Sequence, residues 1–148
     1  MKPDTRKNEE KKFEFLDITT ADVCFVAYGC SLNELFANAA LAMFEVMVDT
    51  SRVKPMVKRE VRIKSYDLQS LMFDWLNELL VFVDAERLVF SKFDVKLDEK
   101  NFTLSAECSG EEIDLKKHRV KTHVKAATYH KLEIKKDKVW QAQVILDI

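Results

Sequence analysis

Glycine and proline are almost missing from this sequence, two of each in 148 residues. A phosphate cradle needs several glycines so that backbone N–H groups can approach the anion. Neither a G-x-G-x-x-G nor a Walker motif is present, which excludes nucleotide binding by those routes. A surplus of either charge is missing too: 24 basic residues stand against 25 acidic ones, a formal net charge of -1. A protein that holds nucleic acid alone gains its affinity by neutralising phosphates with clustered Lys and Arg. Only a local basic face would serve here, so the expectation turns toward protein or small-ion partners. No run of eighteen apolar residues occurs, and the opening MKPDTRKNEEKK has no apolar signal core. Neither a spanning helix nor a secretory leader is therefore expected. The three cysteines, Cys24, Cys30 and Cys108, form no C-x-x-C pair and leave one over if two bond. That count suits a reducing compartment, and cytosolic residence is the expectation by elimination.

What is present is a globular mixture, 47% apolar and 33% charged, in a length that suits one core. Residues 1–12 alternate in charge and include Pro3, which reads as a solvated tail with Lys11 and Lys12 flanking a first strand. Residues 13–148 read as the domain. Phe13 and Phe15 alternate with Glu14, and VCFVAY at 23–28 is a short β-branched and aromatic run; both predict strands. Ser31 and Glu34 make an S-x-x-E capping box ahead of Leu32, Leu35, Phe36, Ala39, Ala40, Met43, Phe44 and Met47. That series covers one helical face and should end near Asp49. Val61 and Ile63 alternate with charges over 58–66, a half-exposed strand. Asp67 caps a second helix to about Asp84, with Leu71, Met72, Trp75, Leu76 and Leu79 on its apolar side. Asp74, Asn77 and Glu78 fall on the opposite side, which reads as a solvated face. Alternation over 93–97 and 102–108 predicts a hairpin turning at Glu99–Asn101. A long strand over about 120–135 and a last one over 139–148 close the chain. The fold class expected is α+β: two layers, a largely antiparallel sheet, and two main helices on one of its faces.

Several residue types invite chemistry. Cys24 and Cys30 have no histidine nearby in sequence and read as buried small hydrophobes. His118, His123 and His130 have H-x4-H-x6-H spacing, but an unbroken strand would send His123 and His130 to opposite faces, which argues against zinc. His130 shares parity with Val124, Leu132 and Ile134, predicting a partly buried, hydrogen-bonded imidazole. The carboxylates are more informative. Asp17 and Asp22 bracket a polar break between two apolar strands. Asp147 follows Val144, Ile145 and Leu146 in a strand that otherwise reads as core, and the α-carboxylate of Ile148 stands beside it. Hard cations take oxygen ligands of this kind. If the first and last strands approach each other, Asp22, Asp147 and Ile148 form a candidate metal set. Lys125, in HVKAATYH, sits among small and apolar neighbours. Its ammonium needs exposure, a paired carboxylate or a phosphate.

The run FEFLDITTADVCFVAYG, then LNELFANAALAMFEVMVD, DLQSLMFDWLNELLVF, SGEEID, HRVKTHVKAATYH and VILDI resembles the archease family from about residue 13 to the end. It departs from the common pattern once: Thr19-Thr20-Ala21-Asp22 stands where many archeases have His-Thr-Ala-Asp. The resemblance implies a two-layer α+β fold and a protein cofactor, not an enzyme, for an RtcB-type RNA ligase. That ligase joins RNA halves in tRNA splicing, guanylylating its own histidine with GTP and divalent metal. By the same resemblance the metal positions fall on Asp22, Asp147 and Ile148, and the functional lysine on Lys125. The expected cofactor is a divalent cation, Ca²⁺ first with Mg²⁺ or Mn²⁺ as alternatives. Contact with tRNA would be indirect, and no membrane is involved. Two other classes stay open: a metal-dependent hydrolase working alone, and a chaperone-like scaffold.

Overall fold

The structure, a computed structural model, describes residues 11–148. Of the expected tail at residues 1–12, residues 1–10 lie outside the described residues. Lys12 belongs to the start of the sheet, since its carbonyl accepts the Tyr28 N–H at 2.9 Å.

Strand β1 (Phe13–Ile18) turns back into β2 (Asp22–Gly29), and helix α1 (Leu32–Met47) follows. Ser31 caps it by accepting the Glu34 N–H at 3.2 Å. A short 3-10 turn (Thr50–Arg52) leads to β3 (Val57–Lys64) and helix α2 (Leu68–Glu86). Asp67 and Ser70 form a reciprocal capping box there, and Arg87 closes the helix in the left-handed conformation, φ 55°. Then come β4 (Leu88–Asp98), β5 (Thr103–Glu112), β6 (Ala126–Ala127), β7 (Glu133–Lys136) and β8 (Trp140–Asp147).

All strand pairs are antiparallel, but the β structure divides into two sheets. One has the order β1-β2-β8-β6, with β7 also on β8; the other has the order β3-β5-β4. The helix-facing sides of both supply the core: Val23, Phe25, Ala27, Val144 and Leu146 from the first, Val61, Phe90, Val95 and Leu104 from the second. Between them lie the apolar faces of α1 and α2, joined by a bond from the buried Trp75 Nε1–H to the Phe36 carbonyl, 2.9 Å. Phe44, Phe90, Phe93 and Trp75 meet there edge-on or stacked. The α+β class, the antiparallel pairing and the two helices are as the sequence predicts.

The long strand predicted over 120–135 is not there. Its first part is irregular, and its backbone bonds go elsewhere: Lys121 N–H to the Met47 carbonyl, 2.8 Å, and Lys125 N–H to the Asp147 carbonyl, 2.8 Å. Only β6 and β7 are extended, and both lie on the same edge of β8 with a turn between them. Polar alternation alone does not separate a strand from a loop anchored at intervals.

Candidate metal centre

Antiparallel register decides which side chains meet. Asp22 is the direct partner of Asp147, and Ala126 is the partner of Asp147 on its other side. One step further, the Ile148 N–H donates to the Ala21 carbonyl at 3.1 Å. Hydrogen-bonded and non-bonded pairs alternate along a ladder, so Asp22–Asp147 is of the second kind, with Cα atoms about 4.5 Å apart and side chains at their closest. Their neighbours Val23 and Leu146 face the helices and are buried, so both carboxylates project from the opposite, outer face. Lys125 joins them through its bond to the Asp147 carbonyl. The structure thus brings Asp22, Asp147, Ile148 and Lys125 to one end of one sheet. Lys125 is exposed and, among the described residues, has no carboxylate within ion-pair distance.

The β1–β2 turn holds Asp22 in place. The Thr19 hydroxyl accepts the N–H groups of Ala21 and Asp22, at 3.1 and 3.0 Å, and donates to Asp22 Oδ1 at 3.1 Å. Asp17 pairs with Cys24 on the row beside the acids. The field there is negative: burial first, then the charge of Asp17, push the Cys24 thiol up, with Asp22 adding to this and Lys131 opposing it.

Oxygen is the shared character of these donors. Two carboxylates and backbone oxygen at Ile148 suit a hard divalent cation, with water completing the shell. Among the described residues no three His, Cys, Asp or Glu side chains group as a metal-ligand cluster. Side chains of these types alone do not make such a set, so backbone oxygen or water would have to contribute.

Other candidates disperse. His118 is buried, while His123 and His130 are exposed, so the three do not meet. The expected partial burial of His130 fails because it sits in the turn between β6 and β7, where strand parity does not apply. All three cysteines are free, but only Cys108 is buried; Cys30 is exposed and Cys24 half-buried, since they lie at a strand end and on the outer face. Asp74 is half-buried and accepts from the Ser65 hydroxyl. Asn77, read as solvated, instead bonds to Ala127. Helix periodicity showed which side was polar but not that a loop would cover it.

The model of the Archease protein family matches residues 13–148. The chain belongs to the archease family. Protein archease from Sulfurisphaera tokodaii is 52% identical over 124 residues, covering 84% of this chain and 88% of that protein. Protein archease from Methanothermobacter thermautotrophicus is 51% identical over 141 residues, covering 93% and 99%. The solution structure of Methanobacterium thermoautotrophicum protein 1598 superposes with a TM-score of 0.80 at 51% identity, over 93% of this chain and 99% of that one. Archease membership and an α+β fold are thus established together. Among the described residues, no helix is long and apolar enough to cross a membrane.

Proposed function

We propose that this archease is a protein activator of an RtcB-type RNA ligase, promoting its GTP-dependent guanylylation and repeated turnover in tRNA splicing. The observation that carries the reading is the facing of Asp22 and Asp147 on the outer side of the sheet, with Lys125 pinned beside them. Two opposed carboxylates repel each other, and a divalent cation relieves that repulsion. When bound, such a cation supplies positive charge to transferring phosphoryl oxygens. Asp22, Asp147 and the backbone oxygens of Ile148 hold it, Ca²⁺ or, failing that, Mg²⁺ or Mn²⁺. Thr19 orients the Asp22 carboxylate. Lys125 offers an exposed ammonium to a phosphate or carboxylate of the partner, and tRNA is reached through the ligase.

The test is to incubate the purified chain with RNA and GTP, alone and then with an RtcB-type ligase. Faster guanylylation only in the mixture is the expected result. Asp22→Ala and Asp147→Ala should abolish that stimulation while keeping a cooperative thermal transition. Full stimulation by both variants rejects the reading, and turnover by the chain alone would place it among stand-alone hydrolases.

A further inference from the structure

We propose that Asn77 is a positioning residue for this site: its carboxamide acts as a one-residue neighbouring strand for β6 and so fixes Lys125 against Asp147. The inference rests on the proposed function above. Strand β6 has two residues and lies at the edge of its sheet, bonded to β8 on one side only. Ala127 is nevertheless 3% exposed. A buried edge residue with an unpaired N–H and carbonyl is costly. Asn77, on α2, answers both groups. The Ala127 N–H donates to Asn77 Oδ1 at 3.0 Å, and Asn77 Nδ2 donates to the Ala127 carbonyl at 3.1 Å. The second Nδ2 hydrogen goes to the Phe73 carbonyl at 2.9 Å, so the amide is held in one orientation.

A carboxamide offers a donor and an acceptor side by side at any ordinary pH, whereas an ionised carboxylate only accepts. One helical turn earlier, Phe73 stacks on Tyr129 with ring centroids 4.0 Å apart and planes 14° from parallel. Helix α2 therefore grips the segment at residue 127 and again at 129. Lys125 lies two residues before Ala127, and its N–H donates to the Asp147 carbonyl at 2.8 Å. A shift of Ala127 would be passed along that short span to the lysine. Asn77 touches neither carboxylate, so it acts through β6.

The experiment combines amide hydrogen exchange on the full chain with ligase stimulation. In Asn77→Ala, protection of the Ala127 and Lys125 amides should fall roughly tenfold or more while that of Phe25 and Val144 holds. Asn77→Asp keeps the acceptor but turns lone pairs toward two carbonyls. Its Ala127 protection should be low at neutral pH and recover as the introduced acid is protonated. Both variants should stimulate the ligase less, yet Asn77→Ala added to Lys125→Ala should cause no further loss. Unchanged protection at Ala127 and Lys125, or an additive loss in the double variant, overturns the proposal. Asp22→Ala separates the two readings. If it stimulates fully the activator reading fails, whereas lost stimulation with unaltered exchange in Asn77→Ala sinks only the role of Asn77.

Discussion

At Thr19 a hydroxyl does the work of organising a turn that many archeases begin with histidine. It accepts two backbone N–H groups and donates to Asp22 Oδ1. The turn is exposed, so water can replace those bonds, and Thr19→Val should cost under about 1 kcal/mol of stability. If Asp22 is a ligand as proposed, the effect on cation affinity should be larger, because partners that orient a ligating carboxylate typically carry about tenfold or more in affinity. Calorimetric titration with Ca²⁺ alongside thermal unfolding checks both halves; unchanged Ca²⁺ affinity counts against Asp22 as a ligand. His118 is the residue the sequence hid. Strand parity pointed to His130 as the partly buried histidine, whereas the buried one is His118, in a segment whose local pattern does not signal it. Its Nδ1 accepts the Asp114 N–H at 2.9 Å, so the proton resides on Nε2, which donates to Glu111 Oε1 at 2.8 Å. Burial alone raises the Glu111 carboxyl. Hydrogen bonds from Lys117, the Lys54 N–H and His118, with the Lys117 charge, outweigh this and hold it down to about 2, against an ordinary 4.5. A lowered carboxyl stabilises the fold above its unfolded value, and that contribution is lost as pH falls from about 4.5 toward about 2. Urea unfolding across that window should show the loss, and Glu111→Gln should flatten it. His118→Phe, which leaves the Asp114 N–H without its acceptor and removes one of the donors to Glu111, should cost about 1–3 kcal/mol at neutral pH.

Among the elements, the two helices were legible nearly to the residue because period and cap agree. Leu32–Met47 and Leu68–Glu86 begin just after Ser31 and Asp67. The β4–β5 hairpin was equally clear, although its turn runs one residue further than alternation suggested: Phe102, read as the start of the second strand, sits in the turn with φ 51°. The segment after β5 was not, because its order comes from distant partners: Met47 for Lys121, Asn77 for Ala127, Asp147 for Lys125. The scarcity of glycine also has meaning at this scale, since both glycines sit where backbones nearly touch. A Cβ on Gly29 would stand 2.4 Å from the Leu35 nitrogen, locking the end of β2 onto the first turn of α1. At Gly110 it would stand 1.9 Å from the Val89 carbonyl oxygen, beside the bulge in β4 between Phe90 and Lys92. Backbone on both sides leaves no flexible atom to yield. Gly110→Ala should therefore cost about 2–3 kcal/mol in urea unfolding, while Lys96→Ala on the same sheet's exposed face stays within about 0.5 kcal/mol. Equal stability of the two variants would mean that the bulge shifts freely.

Across the whole molecule, the sequence could nominate Asp22 and Asp147 but not make them neighbours. Each stood out locally as an acid beside a core strand. Their meeting depends on β2 and β8 pairing in one register out of many, and a slip of one residue would carry one of them to the helix side. The fold maintains that register with Val23, Phe25 and Ala27 opposite Leu146, Val144 and Ala142, all of them buried. Apolar packing thus enforces an electrostatic conflict at the end of the ladder, and the conflict should be measurable. Like charges directly opposite cost a fraction of a kcal/mol to about 1 kcal/mol. In chelator, Asp147→Asn should match or exceed the wild-type stability by that amount. With Ca²⁺ at a hundred times its dissociation constant the wild type should gain about 2.7 kcal/mol, while the variant gains much less. The order of stabilities would then invert on adding the ion. If wild type and Asp147→Asn respond alike to Ca²⁺, Asp147 does not hold the cation, and the facing acids must be tolerated for some other purpose.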